Sequence, residues 1–156
     1  MRHITQRGLD FIKQFEAFSE YPYYCPANKL TIGYGHVMLE SETITEPLSE
    51  EDGELLLKKD VQSAERAILR NINVPLSDGQ FDALVSFTFN CGAGALQRST
   101  LRMKINREEY GEAAEEFPKW CKMGGKTSKG LLRRRLAEKE IFGGTILNVK
   151  VFHHKL

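Results

Sequence analysis

The sequence has no apolar run that approaches the ~20 residues a membrane-spanning helix needs. Its first residues, MRHITQRGLDFIKQF, also lack the apolar core of a signal peptide. The sequence therefore predicts a chain that is made in a cytoplasm, so that any role outside it requires a separate exit route.

Cysteine is scarce and shows no pairing pattern. Cys25, Cys91 and Cys121 are odd in number, widely spaced and without a Cys-x-x-Cys pair, which argues against a disulfide framework and favours free thiols. A zinc site formed by these three residues and His36 would lack the local ligand pairs that such sites use.

A strong charge imbalance is also missing. The chain has 22 Lys and Arg against 21 Asp and Glu, a formal net charge of +1, so its total charge does not indicate long-range attraction to nucleic acid. Three consecutive arginines, Arg133, Arg134 and Arg135, could form a local basic patch. Such a run on a helix more usually forms a solvated face, and we predict a solvated face for these three arginines.

The composition, 41% hydrophobic and 28% charged, is that of an ordinary soluble globular protein. Its length of 156 residues fits one domain, or two lobes that share a core. From Tyr21 to about Leu39, prolines, aromatic residues and glycines break the helical periodicity and predict short strands with tight turns. This is the only convincing strand region in the sequence.

Helical patterns with recognisable N-caps dominate the rest of the chain. The predicted helices run from Thr5 to near Glu16, from Ser49 to about Asn71, from Ser77 to Gly92, from about Ser99 to Asn106, from Glu108 to Phe117, and from Ser128 to Ile141. This order predicts a small β-containing lobe followed by a helical lobe, joined by the long second helix. A cleft between two such lobes suits an extended substrate.

The stretch FEAFSEYPYYCPANKLTIGYGH, residues 15–36, contains the strongest candidates for chemistry. Glu16 lies where a helix gives way to an aromatic-rich loop, and a carboxyl group held against aromatic rings loses hydration, which suits a general acid. Cys25 is by itself more often a small buried residue than a nucleophile. A catalytic pair of Cys25 and His36 would lack an orienting third group. From these residues alone, an ordinary solvated position for Glu16 stays open.

The spacing in this stretch resembles that of the phage-type lysozyme family, the endolysins of glycoside hydrolase family 24. Glu16 is followed after eight residues by Cys25, and Cys25 after five residues by Thr31, which leads at once into IGYGH. Two later blocks, QFDALVSFTFNCGAG at 80–94 and GLLRRRLAE at 130–138, are similar to the central helix and the C-terminal lobe of that family. The resemblance covers about residues 8–142.

The resemblance implies a predominantly α, lysozyme-like α+β fold. It implies a single domain over residues 1–156, with a β-containing lobe over about 15–60 and a helical lobe formed by about 61–156 together with the N-terminal helix. The implied reaction is hydrolysis of the β-1,4 bond between N-acetylmuramic acid and N-acetylglucosamine in peptidoglycan. This chemistry requires no metal and no organic cofactor.

By the same resemblance, Glu16 is the general acid and Thr31 positions the catalytic water. Cys25 stands where the family often has aspartate, which departs from a scheme with two carboxylates. A thiol has a reference pKa of about 8.5, and an ionised Glu16 nearby is expected to raise the pKa of Cys25 further.

The resemblance also assigns residues around these three. It implies sugar contacts from Val37, Phe89 and Thr100. It further implies a structural pair between His36 and Asp60, which would raise the pKa of the histidine.

The implied biological role is lysis of a phage host by a monomeric endolysin. The chain would be made in the bacterial cytoplasm, would reach the periplasmic cell wall after a holin-type membrane protein permeabilises the membrane, and would bind peptidoglycan glycan strands but no nucleic acid. Two alternatives stay open. One is a lytic transglycosylase, whose product ends in a 1,6-anhydro sugar, and the other is a non-catalytic glycan-binding module in which Cys25 marks lost activity.

Overall fold

A computed structural model of the chain describes residues 1–144. Within them the α-helices are α1 Gln6–Lys13, α2 Glu50–Asp60, α3 Gln62–Asn71, α4 Asp78–Cys91, α5 Ala93–Arg98, α6 Thr100–Asn106, α7 Tyr110–Ala114 and α8 Lys129–Phe142. The strands are β1 Phe18–Tyr24, β2 Leu30–Tyr34, β3 His36–Val37, β4 Lys122–Met123 and β5 Lys126–Thr127. The fold is mostly helical with small antiparallel sheets, which confirms the predicted class.

Four helices begin where their capping residues predict. The side chains of Thr5, Ser49, Ser77 and Ser128 each accept a hydrogen bond from a backbone N–H in the first turn of α1, α2, α4 and α8. Gln80 completes a capping box with Ser77. These contacts satisfy N–H groups that have no partner within the helix.

The first sheet has the order β1-β2-β3 and is antiparallel throughout. Thr31 lies opposite Tyr23 on β1 and opposite Val37 on β3. The turn between β2 and β3 contains Gly35, whose φ of +76° is a conformation that suits glycine. This sheet packs on α2 and forms the β-containing lobe.

Helix α4 is the centre of the helical lobe. Its residues 81–88 are all buried, as expected for a helix surrounded by other helices. Helix α1 docks on it through Asp82, which accepts hydrogen bonds from the backbone N–H of Thr5 at 2.9 Å and from the Thr5 hydroxyl. The apolar core is continuous between the lobes, because Tyr34 and Leu57 belong to the same cluster as Phe81 and Phe87.

Three predictions about elements were wrong in detail. The long second helix is divided at Val61, whose ψ of −12° departs from the helical value of about −42°. A second strand pair, β4 and β5, lies outside the stretch that was predicted to contain the only strands. The predicted helix from Glu108 to Phe117 ends at Ala114 and is followed by a 3-10 helix at Phe117–Lys119.

Helix α5 was not predicted, because Gly92 indicated only the end of the preceding helix. Among residues 1–144, none of the helices combines the length and the apolar character required for crossing a membrane.

Candidate active site

Glu16 lies between the end of α1 and the start of β1. Its backbone N–H still donates to Ile12 O at 3.1 Å, so the chain keeps a helical turn up to this residue before it extends into the strand. The Glu16 side chain is 22% exposed. It is therefore fixed by the fold yet open to a ligand.

The two carboxyl oxygens of Glu16 have different surroundings. Oε2 accepts a hydrogen bond from Arg134 Nη1 of α8 at 2.6 Å. Oε1 lies against Gly35, where a Cβ atom would come within 2.8 Å of it. The carboxyl group is thus held between the helical lobe and the turn of the first sheet.

The predicted solvated face for the arginine run was wrong for two of its three members. Arg134 and Arg135 are 4% and 0% exposed, whereas Arg133 is exposed. The buried guanidinium groups are tolerated because each has an acidic partner and an aromatic neighbour. Arg134 lies 5.4 Å from the ring centre of Phe15, and Arg135 lies 5.2 Å from that of Phe87.

Glu138 is the buried acidic partner of both arginines. Its Oε1 lies 2.7 Å from Arg135 Nε and its Oε2 lies 3.4 Å from Arg134 Nε. Ser86 of α4 donates a hydrogen bond to Oε2 at 2.5 Å. Complete burial raises the pKa of Glu138, although the two guanidinium groups oppose this.

This cluster changes the expected environment of Glu16. The sequence predicted a Glu16 carboxyl group that packs against apolar rings. In the structure, the Phe15 ring also packs against the guanidinium group of Arg134, which donates a hydrogen bond to Glu16. Arg134 and Glu138 were not predicted as site residues. Their spacing of four within a helix was the available signal, because side chains at i and i+4 meet on one face.

Cys25 begins the tight turn that joins β1 to β2. Its carbonyl oxygen accepts from Asn28 N at 2.7 Å and its N–H donates to Lys29 O at 3.0 Å. Pro26 at the second turn position and Asn28 with a φ of +60° are residues that suit such a turn. All three cysteines are free thiols, as predicted.

The expectation that the pKa of Cys25 is raised was wrong. Its pKa is lowered, chiefly by a hydrogen bond from the backbone of Lys29 and further by the side chain of Thr31. A donor to the sulfur stabilises the thiolate, and the Thr31 hydroxyl can act as one only when it gives up its hydrogen bond with Lys29 O. Glu16 is not among the groups that shift this pKa.

Thr31 lies on β2 and is 3% exposed. Its hydroxyl group donates to Lys29 O at 2.8 Å, which uses its one proton and leaves lone pairs to accept from another group. Thr31 and Cys25 are therefore linked through Lys29, whose carbonyl oxygen accepts from the Thr31 hydroxyl and from the Cys25 N–H.

His36 is enclosed by two carboxyl groups. Its Nδ1 lies 2.8 Å from Asp60 Oδ2, and its Nε2 lies 3.1 Å from Glu42. Burial by itself would lower the pKa of His36, but the hydrogen bonds with Asp60 and Glu42 outweigh it and raise the pKa. At Asp60, burial raises the pKa more than His36 lowers it.

The three expected sugar-contacting residues are in different settings. Val37 is 47% exposed and lies directly opposite Thr31 in the sheet. Phe89 is half-buried against the core, and Thr100 is the exposed first residue of α6. Within residues 1–144, neither Phe89 nor Thr100 shares a hydrogen bond with Glu16, Cys25 or Thr31.

The arrangement combines a carboxyl group held by one oxygen beside the β2–β3 turn with the hydroxyl group of Thr31 on β2 and the thiol of Cys25 at the β1–β2 turn of the same sheet. A carboxylic acid can donate a proton to a leaving oxygen. A hydroxyl with unused lone pairs can orient a water molecule. This set of groups fits the hydrolysis of a glycosidic bond.

Comparison with known proteins agrees with this chemistry. Residues 13–138 match the family model described as phage lysozyme. An endolysin of Acyrthosiphon pisum secondary endosymbiont phage 1 is 38% identical over 144 residues, which cover 90% of this chain and 97% of that protein. The endolysin of Bacillus phage B103 is 42% identical over 142 residues. The chain spans only 54% of that second relative's length.

Solved structures show the same similarity. An endolysin from Escherichia coli O157:H7 phage FAHEc1 superposes with a TM-score of 0.85 and 33% identity, covering 94% of this chain and 97% of that one. The muramidase domain of SpmX from Asticaccaulis excentricus superposes with a TM-score of 0.80 and 34% identity, covering 90% and 98%.

Proposed function

Because this chain belongs to the phage lysozyme family, we propose that it is an endolysin, an N-acetylmuramidase that hydrolyses peptidoglycan in host cell lysis. The bond cleaved is the β-1,4 link between N-acetylmuramic acid and N-acetylglucosamine. The observation that carries the proposal is the Glu16 carboxyl group, held between Arg134 and Gly35 inside the segment that matches the family.

Glu16 acts as the general acid. Its Oε2 is occupied by Arg134, so Oε1 carries the proton to the leaving glycosidic oxygen. Once the proton has left, the guanidinium group stabilises the remaining carboxylate. The Arg134 side chain is itself held by Ser86 and Glu138, which limits its movement away from Glu16.

Thr31 and Cys25 act together in placing the water that attacks the sugar. The Thr31 hydroxyl donates to Lys29 O and so offers only acceptor positions to that water. Cys25 lies in the same turn, where backbone N–H groups stabilise its negative charge. As the water adds to the anomeric carbon, the glycosidic bond breaks, Glu16 protonates the leaving oxygen, and the proton that the water loses passes to the Cys25 thiolate and returns to Glu16 through solvent.

Val37 extends this surface toward the substrate, because it is exposed directly opposite Thr31. We also assign sugar contacts to Phe89 and Thr100, on the family resemblance alone. His36 and Asp60 have a structural role in this scheme, since they tie β3 to the end of α2.

Two variants test the assignment of the reacting groups. Glu16→Gln keeps the shape and the hydrogen bond acceptor but removes the acid, and it should abolish hydrolysis of purified peptidoglycan. Cys25→Asp should retain activity, because a carboxylate can also hold the water. Full activity in Glu16→Gln would remove Glu16 from the mechanism, and an unchanged rate after alkylation of Cys25 would remove the thiol.

Lysis also requires passage of the chain across the cytoplasmic membrane, because peptidoglycan lies outside it. We propose that a holin-type membrane protein opens this route for a chain made in the cytoplasm, and that the chain then acts as a monomer in the periplasm. Expression alone should leave the culture turbid, and addition of a permeabilising agent should clear it. Clearing without the agent would contradict this route.

A further inference from the structure

Asp82 on α4 is a buried carboxylate that the proposed mechanism does not use. Its exposed fraction is only 5%, and its neighbours on the helix from Phe81 to Thr88 are buried as well. A carboxylate in such a place loses its hydration, which costs free energy unless hydrogen bonds replace the water. The groups that donate to Asp82 are therefore held firmly by it.

Both oxygens of Asp82 accept hydrogen bonds from Thr5, the residue that caps α1. The backbone N–H of Thr5 donates to Oδ1 at 2.9 Å, and its hydroxyl group donates to Oδ2. The same hydroxyl oxygen accepts from Gly8 N at 3.1 Å in the first turn of the helix. Asp82 thus holds the helix cap itself, at the point where α1 begins.

Close packing at Gly8 fixes the rotation of α1 against this carboxylate. A Cβ atom at Gly8 would lie 2.6 Å from Asp82 Cγ and 2.5 Å from Ile4 Cγ1, which is closer than a Cβ atom tolerates. Glycine is what permits this approach. Ile4 is held in turn by Glu65 of α3, to which its backbone N–H donates at 2.6 Å. The start of α1 is therefore fixed both along its axis and about it.

The helical winding that starts at Thr5 continues to Glu16. After α1 ends at Lys13, Phe15 N donates to Ile12 O at 3.0 Å, and Glu16 N donates to the same oxygen at 3.1 Å. At ~1.5 Å per residue, the chain from Thr5 to Glu16 spans about 16 Å along the helix axis. A hydrogen-bonded segment of this kind transmits a shift at its start to the carboxyl group at its end.

The apolar face of α1 does not fix its axial position by itself. Leu9, Phe11 and Ile12 are buried, but the free energy gained by burying apolar surface is non-directional. Hydrogen bonds depend steeply on distance and angle. The bonds at Asp82 therefore oppose a slide of the helix that its apolar contacts permit.

Helix α4 also reaches the other end of this segment. Ser86 lies four residues after Asp82, so the two side chains share one face of the helix. Ser86 accepts a hydrogen bond from Arg134 Nε at 3.3 Å, and Arg134 Nη1 donates to Glu16 Oε2 at 2.6 Å. One face of α4 thus holds the start of the segment through Asp82 and its end through Ser86 and Arg134.

We propose that Asp82 is a positioning residue for Glu16, and that it acts through Thr5 and the helical segment 5–16. The proposal rests on the proposed function, because that function gives the positioned carboxyl group its catalytic task. Loss of the anchor lets the segment shift, and a displacement of about 1 Å at a reacting group lowers the rate by ~100-fold. Proton transfer belongs to the transition state, so the loss falls on kcat and not on KM.

Thr5→Val tests this role, because valine keeps the shape of threonine but lacks the hydroxyl group. We expect kcat on soluble peptidoglycan fragments to fall about tenfold, with KM within about twofold, since the backbone N–H at this position keeps its bond to Asp82. Thr5→Ser retains a hydroxyl group and should keep kcat within about twofold of the unmodified chain.

Ser49→Ala is the matched control. It removes the capping hydroxyl group of α2, which accepts from Asp52 N at 3.1 Å, and leaves α1 untouched. Thr5→Val and Ser49→Ala should both unfold at a lower urea concentration than the unmodified chain, but Ser49→Ala should keep kcat within about twofold. Equal kcat in these two variants, or an equal loss of kcat in Thr5→Val and Thr5→Ser, would overturn the proposal.

NMR gives a readout that does not depend on cleavage. The Arg134 Nε–H resonance reports the contacts of this side chain with Ser86 and Glu16, and it should shift in Thr5→Val and not in Ser49→Ala. The same resonance position in all three proteins would overturn the proposal. If the unmodified chain did not cleave peptidoglycan, the proposed function would fail, while this resonance would still show whether Thr5 and Asp82 position Glu16.

Discussion

Glycine at position 35 is what leaves room for the Glu16 carboxyl group. Its φ is +76°, and a Cβ there would lie 2.8 Å from Glu16 Oε1. Gly35→Ala should therefore lower the free energy of unfolding by about 1–2 kcal/mol through backbone strain. It should also reduce kcat on peptidoglycan by about 100-fold, because it displaces the acid.

Gly144→Ala is the control for the strain alone. Gly144 has a φ of +93°, and no atom of residues 1–144 lies within 4 Å of where its Cβ would be. Urea unfolding should show a similar loss of stability, while kcat stays within about twofold. If both variants kept full activity, Gly35 would not position Glu16.

His36 should make stability depend on pH. Its pKa is raised by Asp60 and Glu42 in spite of burial. A group whose pKa is raised on folding stabilises the folded state fully when the pH is below the group's pKa in the unfolded chain, ~6.5 for histidine. This stabilisation is lost as the pH rises through the group's pKa in the folded state. We expect His36→Gln to lower the free energy of unfolding by on the order of 1–2 kcal/mol at pH 5.5 and by much less at pH 9.

Two measurements check this prediction. Urea unfolding of both proteins gives the stability difference at each pH, and NMR titration gives the pKa of His36 directly. A stability difference that grows with pH, or a His36 pKa below ~6.5, would contradict the paired arrangement.

Glu138 on helix α8 links the buried core to the proposed general acid, Glu16, through Arg134. Removing its charge leaves the buried Arg135 without a full partner, and breaking such a pair costs about 3–5 kcal/mol. Glu138→Gln should therefore destabilise the protein by this order. It should also lower kcat more than it changes KM, because Arg134 is then less firmly held against Glu16.

Glu140→Gln provides the comparison within the same helix. Glu140 is exposed, so its substitution should change the free energy of unfolding by less than about 0.5 kcal/mol and leave kcat unaltered. Equal effects of the two substitutions on kcat would show that Glu138 has no positioning role.

The secondary elements that the sequence predicted well have local determinants. Ser77 with Gln80 and Ser128 act within one helical turn, and so do the glycines that end α4 and α8. The elements that were missed depend on distant contacts. The buried state of Arg134 needs Glu16 and Ser86, and that of Arg135 needs Asn90. These partners are far away in the chain, and a run of three arginines contains no sign of them.

The candidate site shows the same difference between features with local determinants and features that depend on distant contacts. The spacing of Glu16, Cys25 and Thr31 indicated which residues to consider, because the resemblance is carried by the sequence. The lowered pKa of Cys25 could not be foreseen, since it arises from the three-dimensional turn that brings the backbone of Lys29 and the side chain of Thr31 to the thiol.

The two lobes share one apolar core. Tyr34 and Leu57 of the β-containing lobe pack in the same cluster as residues of α4. We therefore propose that residues 1–156 form one domain, with lobes of about 15–60 and about 61–156 plus α1, and that it unfolds as a single unit. Calorimetry should give one transition with equal calorimetric and van't Hoff enthalpies, and two separated transitions would contradict a single domain.

The most direct test of the proposed function is product analysis of peptidoglycan digested in ¹⁸O-labelled water. Hydrolysis predicts muropeptides with one ¹⁸O at the reducing end of N-acetylmuramic acid, formed by the unmodified chain and by Cys25→Asp but not by Glu16→Gln. Unlabelled 1,6-anhydro ends would show a lytic transglycosylase, and intact polymer after digestion with the unmodified chain would contradict catalysis altogether.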